Sequence, residues 1–128
     1  MAKVFWGGTC NNSRWRDILI PMLKIDCFNP VVDDWTPECQ KREIEERERV
    51  DFVLYVITKE MTGAYSIAEV VDDSNKRPEK TIFCVLEEGF SEGQLRSLNA
   101  VAEIVKRNGA KVFVSLKDVA DHLNKAAS

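Results

Sequence analysis

Phe52-Val53-Leu54-Tyr55-Val56-Ile57, with Thr62-Gly63-Ala64-Tyr65-Ser66-Ile67-Ala68-Glu69 close behind it, is the stretch that decides the fold. Six consecutive residues dominated by β-branched and aromatic side chains suit a strand covered on both faces, predicted here over Asp51 to Ile57. The segment after it has the composition of a loop that runs into the first turns of a helix. A buried strand feeding a helix through a short loop is half of a βαβ unit, which points to a parallel sheet. In such sheets ligands bind in the crevice beyond the carboxyl ends of the strands, so Glu69 is the first candidate for chemistry. A helix amino terminus favours an ionised carboxylate, and the expectation is therefore a charged Glu69. The competing reading is a surface acid that helps to start a helix.

The same alternation extends in both directions. Strands are predicted at Lys3 to Trp6, Asp26 to Asn29, Thr81 to Leu86 and Lys111 to Val114, giving about five strand and helix repeats. The fold class expected is α/β, a single-domain doubly wound parallel sheet, flavodoxin-like or Rossmann-like, a three-layer sandwich over residues 1–128. A first helix spans Ser13 to Leu23, with Trp15, Ile18, Leu19, Met22 and Leu23 facing the sheet and Pro21 weakening its last turn. A second starts at Thr36-Pro37-Glu38, where Thr36 is a plausible cap and Pro37 suits the first helical position. Its pairs Glu38 with Arg42, Glu43 with Arg47 and Glu45 with Arg49 are spaced four apart and contribute roughly 0.3 kcal/mol each. This charged run reads as a solvated helix face. The third helix is expected to be short, Ser66 to Asp73, with Asp72 to Glu79 as a surface loop. Ser91-Glu92-Gly93-Gln94 is a capping box for the fourth helix, Asn108-Gly109 closes it, and Ser115 opens the last.

Composition narrows the function classes. The chain has 128 residues, 45% hydrophobic and 30% charged, with a net charge of −3. That balance is globular, and it disfavours a nucleic-acid polymer, whose phosphates call for an excess of clustered Lys and Arg. No apolar run approaches the roughly 20 residues that span a bilayer, and the amino terminus lacks the signature of a secretory signal, so a cytoplasmic protein without a membrane partner is expected. Cys10, Cys27, Cys39 and Cys84 form no CxxC pair and His122 stands far from them, so neither a metal site nor a cofactor is expected. Cys27 and Cys84 fall in strands as small buried hydrophobes. His122 reads as a surface residue.

Three segments converge at the strand ends: Trp6-Gly7-Gly8-Thr9, Asp33-Asp34-Trp35, and Thr58 to Glu69. Gly7 and Gly8 permit a tight bend and a close backbone approach, and Thr9 adds a hydroxyl beside a helix start, so a phosphate or sugar fits there. A plain turn with a helix cap explains the same residues. Asp33 and Asp34 suit sugar hydroxyls, or a shared proton, although aspartates before Trp-Thr-Pro also serve their own turn. Trp35 and Tyr65 offer flat surfaces for a base, or simply pack.

Taken together, Lys3-Val4-Phe5-Trp6-Gly7-Gly8-Thr9, the Asp51-to-Ile57 strand and Thr62 to Glu69 resemble the nucleoside 2-deoxyribosyltransferase family and its nucleotide N-hydrolase relatives. The resemblance implies cleavage of the bond between a base and a 2-deoxyribose, a small-molecule nucleoside or nucleotide as substrate, and homo-oligomers whose neighbouring chains complete each site. It casts Glu69 as the nucleophile. Three positions depart from the family pattern: Gly63 stands where an Asp handles the base, Phe5 where a Tyr orients the glutamate, and Ala110-Lys111 where a neighbouring subunit contributes an Asn. Tyr65 is the expected substitute for the hydroxyl and Asp33 or Asp34 for the acid. Asp34 is assigned to protonating the leaving base, and Gly7, Gly8, Thr9, Asp33, Trp35 and Ser66 to holding the substrate. Two alternatives remain open, a non-catalytic nucleotide-binding module and an NAD-cleaving glycohydrolase. A receiver domain is disfavoured because Trp6-Gly7-Gly8 and Thr58 stand where it needs acids, and a flavodoxin because Gly8-Thr9-Cys10-Asn11 does not reproduce its phosphate loop.

Overall fold

The computed structural model describes residues 3–9, 15–23, 26–28, 37–61 and 64–127, with 26–28 and 127 as backbone only. Five parallel strands, β1 (Lys3–Gly8), β2 (Asp26–Phe28), β3 (Phe52–Ile57), β4 (Thr81–Val85) and β5 (Lys111–Phe113), form one sheet in the order β2-β1-β3-β4-β5. The order reverses between β1 and β3, where Phe5 is in register with Val53 and Gly7 with Tyr55. That is the topological switch point at which doubly wound sheets open a binding crevice. The doubly wound three-layer expectation therefore holds.

Period-two alternation divides the strands between two cores. Val4, Trp6, Leu54, Val56, Ile82 and Cys84 face one side, covered by Trp15 and Leu19 of α1 (Trp15–Leu19) and by Leu116, Val119, Ala120 and Leu123 of α5 (Leu116–Ala127). Phe5, Val53, Tyr55, Ile57, Phe83 and Val85 face the other, under Val70 of α3 (Tyr65–Lys76) and Leu98 and Val105 of α4 (Glu92–Arg107). α2 (Pro37–Arg49) meets α3 through the side chain of Arg47. Among the described residues no helix is long and apolar enough to cross a membrane.

Several local expectations are corrected. The first helix gives way after Leu19 to a 3-10 turn at Ile20–Met22, because Pro21 supplies no N–H for the α-helical ladder. Ile18 and Met22 are consequently exposed, at 54% and 42%, and Arg16 is buried in their stead. The third helix does not stop at Asp73 but runs to Lys76, followed by a 3-10 turn at Pro78–Lys80. Its polar carboxyl-terminal half is held from outside the helix: Asp73 and Ser74 are fully buried, and Asn108 Nδ2 donates to Ser74 Oγ at 3.0 Å. His122 is half-buried rather than superficial, its ring 5.4 Å from that of Phe113 and 6.5 Å from that of Phe52. The expected caps of α4 are present: Ser91 and Gln94 bond reciprocally, and Gly109 follows the helix with a φ of 108°.

Candidate functional site

Glu69 is the fifth residue of α3, which opens at Tyr65 without a side-chain cap. The dipole of a helix acts chiefly on its first turn, so it does little here, and burial dominates. With 7% of its surface exposed, Glu69 has its carboxyl pushed up to about 7, burial being the main cause. Arg47 opposes that rise, while Glu43, Asp73 and Asp72 add to it. The expectation of a fully ionised carboxylate is thus corrected: near neutral pH both protonation states are populated. Its Oε2 is buried and has no hydrogen-bond partner among the described residues.

The charged run of α2 is likewise not all solvated, since Glu43 and Arg47 are buried. Arg47 reaches across to α3 and uses its planar fork fully. Nε donates to Asp73 Oδ2 at 3.1 Å, and Nη2 donates to Asp73 Oδ1 at 3.0 Å and to Asp72 Oδ2 at 2.9 Å. Nη1 lies 3.5 Å from Glu69 Oε2, an ionic contact longer than a good hydrogen bond. Asp73, fully buried, also pairs with Arg77 and accepts the Tyr55 hydroxyl at 2.5 Å. The hydrogen bond to Asp73 and the nearby acids hold Arg47 firmly protonated in spite of burial, which alone would lower its pKa. Burial and the fields of Asp73 and Glu69 push the Tyr55 phenol well up. A neutral hydroxyl, two guanidinium groups and three carboxyl groups therefore meet between α2, α3 and β3.

The glycines of β1 are explained by packing. A Cβ on Gly7 would lie 2.4 Å from the Tyr55 ring, and one on Gly8 would lie 2.1 Å from the Val56 carbonyl oxygen. Thr9 is buried and ties the turn down: its Oγ1 accepts from Thr58 N at 2.9 Å, and its carbonyl accepts from Trp15 Nε1 and Arg16 Nη1 at 2.8 Å each. This turn lies at the carboxyl end of β1, beside that of β3.

The profile of a family described as "Nucleoside 2-deoxyribosyltransferase like" matches residues 1–90, which hold β1 to β4, α3 and Glu69. The chain belongs to this nucleoside 2-deoxyribosyltransferase-like family. No curated protein matches the chain significantly. Its fold is similar to that in a "Crystal structure of conserved protein from Enterococcus faecalis V583", with a TM-score of 0.68 and 16% identity over 98% of this chain and 99% of that one.

Within this deoxyribosyltransferase-like chain, the residues singled out from sequence are only partly described. Glu69 and Ser66 share α3, with Ser66 half-buried one turn earlier. Tyr65 is 46% exposed and its hydroxyl accepts from Gln40 Nε2 at 3.1 Å. A cavity of about 230 Å³ lies between α2 and α3, lined among others by Ile44, Arg47, Tyr65 and Asp72 but not by Glu69. It is smaller than the roughly 300–1,000 Å³ usual for small-molecule sites. Asp33, Asp34 and Trp35 lie outside the described residues, as do Gly63 and Cys10. Sequence reading passes over Arg47, Tyr55 and Asp73. The one signal for them is Tyr55 itself, a polar-tipped ring inside an otherwise apolar strand, which demands a buried partner. Its ring packs against that of Phe5, with centroids 6.1 Å apart, while its hydroxyl is given to Asp73.

Proposed function

We propose that the chain cleaves the N-glycosidic bond of a 2-deoxyribonucleoside or its 5′-phosphate, with Glu69 as nucleophile. The observation that carries this reading is the Glu69 carboxyl: buried, shifted towards neutrality, and with one oxygen that accepts no hydrogen bond from the described residues. A carboxyl perturbed by burial together with a specific charged partner is a candidate for a functional site. In its ionised form Glu69 attacks the anomeric carbon, the bond from that carbon to the base nitrogen breaks, and the base departs with a proton. Water or a second base then displaces Glu69 from the sugar. The oxocarbenium character of the transition state is stabilised by the same negative charge. Asp34 is our candidate for the proton on the leaving base, Asp33, Trp35 and Ser66 for sugar and base contacts, and the Gly7-Gly8-Thr9 turn for the 5′ end. We further propose a homo-oligomer of single-domain subunits.

The test is to follow free base by chromatography on incubation with deoxyribonucleosides and their 5′-monophosphates, with and without a second base, and with NAD in parallel. Wild type is expected to release base, with kcat/KM rising about tenfold per pH unit below pH 7 and levelling above it, because the nucleophile must be charged. Glu69→Gln is expected to lose about a hundredfold or more of that rate. A variant as fast as wild type would overturn the mechanism. Phe5, which offers no hydroxyl, favours the binding-module reading; nucleotide binding in calorimetry with no base release at any pH would establish that reading instead.

A further inference from the structure

Arg47 has two faces. Nε and Nη2 are committed to Asp73 and Asp72 by hydrogen bonds of 2.9 to 3.1 Å, and that grip leaves Nη1 aimed at Glu69 Oε2 across 3.5 Å. Asp73 is itself fixed by Tyr55 from the sheet and by Arg77 from the end of α3. The guanidinium therefore cannot swing to meet Glu69 more closely without breaking bonds that are mostly buried, nor retreat from it. It stands as a fixed charge beside a carboxyl whose own hydrogen bonding is incomplete. If only fold stability were at issue, Asp73 with Arg77 and Tyr55 would already be satisfied, and burying Glu69 next to them would bring a cost.

We infer that Arg47 is a positioning residue for the proposed reaction: gripped by Asp72 and Asp73, it stands at a fixed 3.5 Å from the Glu69 carboxyl, favouring its charged form without closing into a tight ion pair. This inference rests on the glycosidic reading above. The groups that act on Glu69 are Arg47 and Glu43 from α2, Asp72 and Asp73 from its own helix and Tyr55 from β3, and Arg47 is the cation among those named against Glu69. A pair held at 3.5 Å favours the ionised form while leaving Oε2 without a close hydrogen bond, whereas a close bidentate pair would quench its nucleophilicity.

The experiment is a carbon-13 NMR titration of the Glu69 side-chain carboxyl in the whole chain. In wild type the midpoint is expected at about 7. In Arg47→Gln it is expected to rise by one unit or more, so that base release at pH 6 falls about tenfold while the rate at pH 9 is retained. An unmoved midpoint, or a rate lowered equally at both pH values, would overturn the inference, since a purely structural residue acts alike at all pH. Should Arg47→Gln fail to fold, wild type and Glu69→Gln suffice. The nitrogen-15 signals of the Arg47 guanidinium must follow the Glu69 midpoint in wild type and lose that dependence in Glu69→Gln; signals indifferent to pH in wild type exclude the coupling. Because both titrations are independent of turnover, an intact coupling in a chain that releases no base would sink only the glycosidic reading. Absent coupling in an active enzyme would sink only the role of Arg47.

Discussion

Gly8 sits at a φ of 109° with the Val56 carbonyl oxygen only 2.1 Å from where a Cβ would stand. Neither the conformation nor the space admits a side chain, and the obstacle is backbone in a central strand that cannot yield. Gly8→Ala is therefore expected to lower stability by about 3 kcal/mol or more, as read from the midpoint of urea unfolding. A loss under 1 kcal/mol would mean that the β1 turn is softer than its hydrogen bonds through Thr9 indicate. At this scale the sequence placed Glu69 on a helix that follows a buried strand, as observed, and was silent about its neighbours. Arg47 was hidden by its own surroundings: a Glu four residues earlier offered a sufficient partner, and nothing local reveals that the guanidinium turns to another helix. Asp72 and Asp73, read as loop residues, concealed the other half of the same contact.

The elements with complete local signals were predicted well. α4 is the clearest, since Ser91 accepts from Gln94 N at 3.2 Å while Gln94 Oε1 accepts from Ser91 N at 2.9 Å, which is the reciprocal bonding its four-residue opening specifies. Ser91→Ala should cost about 1 kcal/mol, visible as a lower denaturation midpoint at unchanged slope. No change at all would indicate that tertiary contacts, not the cap, fix the start of α4. The strands were legible for a related reason: apolar runs flanked by polar residues admit few alternatives, and each observed boundary lies within two residues of its predicted one. α3 runs three residues past its predicted end because its second half is held by distant partners. Asp-Asp-Ser-Asn carries weak helix propensity, so its helicity depends on Arg47 and Asn108, which local pattern cannot supply, alongside the local pair of Arg77 with Asp73.

Over the whole molecule, the parallel order β2-β1-β3-β4-β5 brings α2 and α3 together on one face and so creates the medium in which Glu69 titrates. The consequence for stability follows by linkage. Unfolded, the carboxyl returns to its ordinary value of 4.5; folded, it stands at about 7. Between those values the native state holds a proton that the unfolded state has released, so folding stability falls as pH rises through the window. Below pH 4.5 both states are protonated and the penalty vanishes; above pH 7 it is complete, at about 3 kcal/mol. Glu69→Gln, which keeps the shape of the neutral acid, is thus expected to match wild type near pH 4 and to exceed it by up to about 3 kcal/mol at pH 8. Taking the difference between the two proteins in urea titrations removes the contributions of the other carboxylates, which are common to both. A variant less stable than wild type at pH 8 would show that Arg47 gains more from the charge of Glu69 than burial takes away. It would recast the pair as structural, and the carboxyl would then have no unspent electrostatic strain to bring to a substrate.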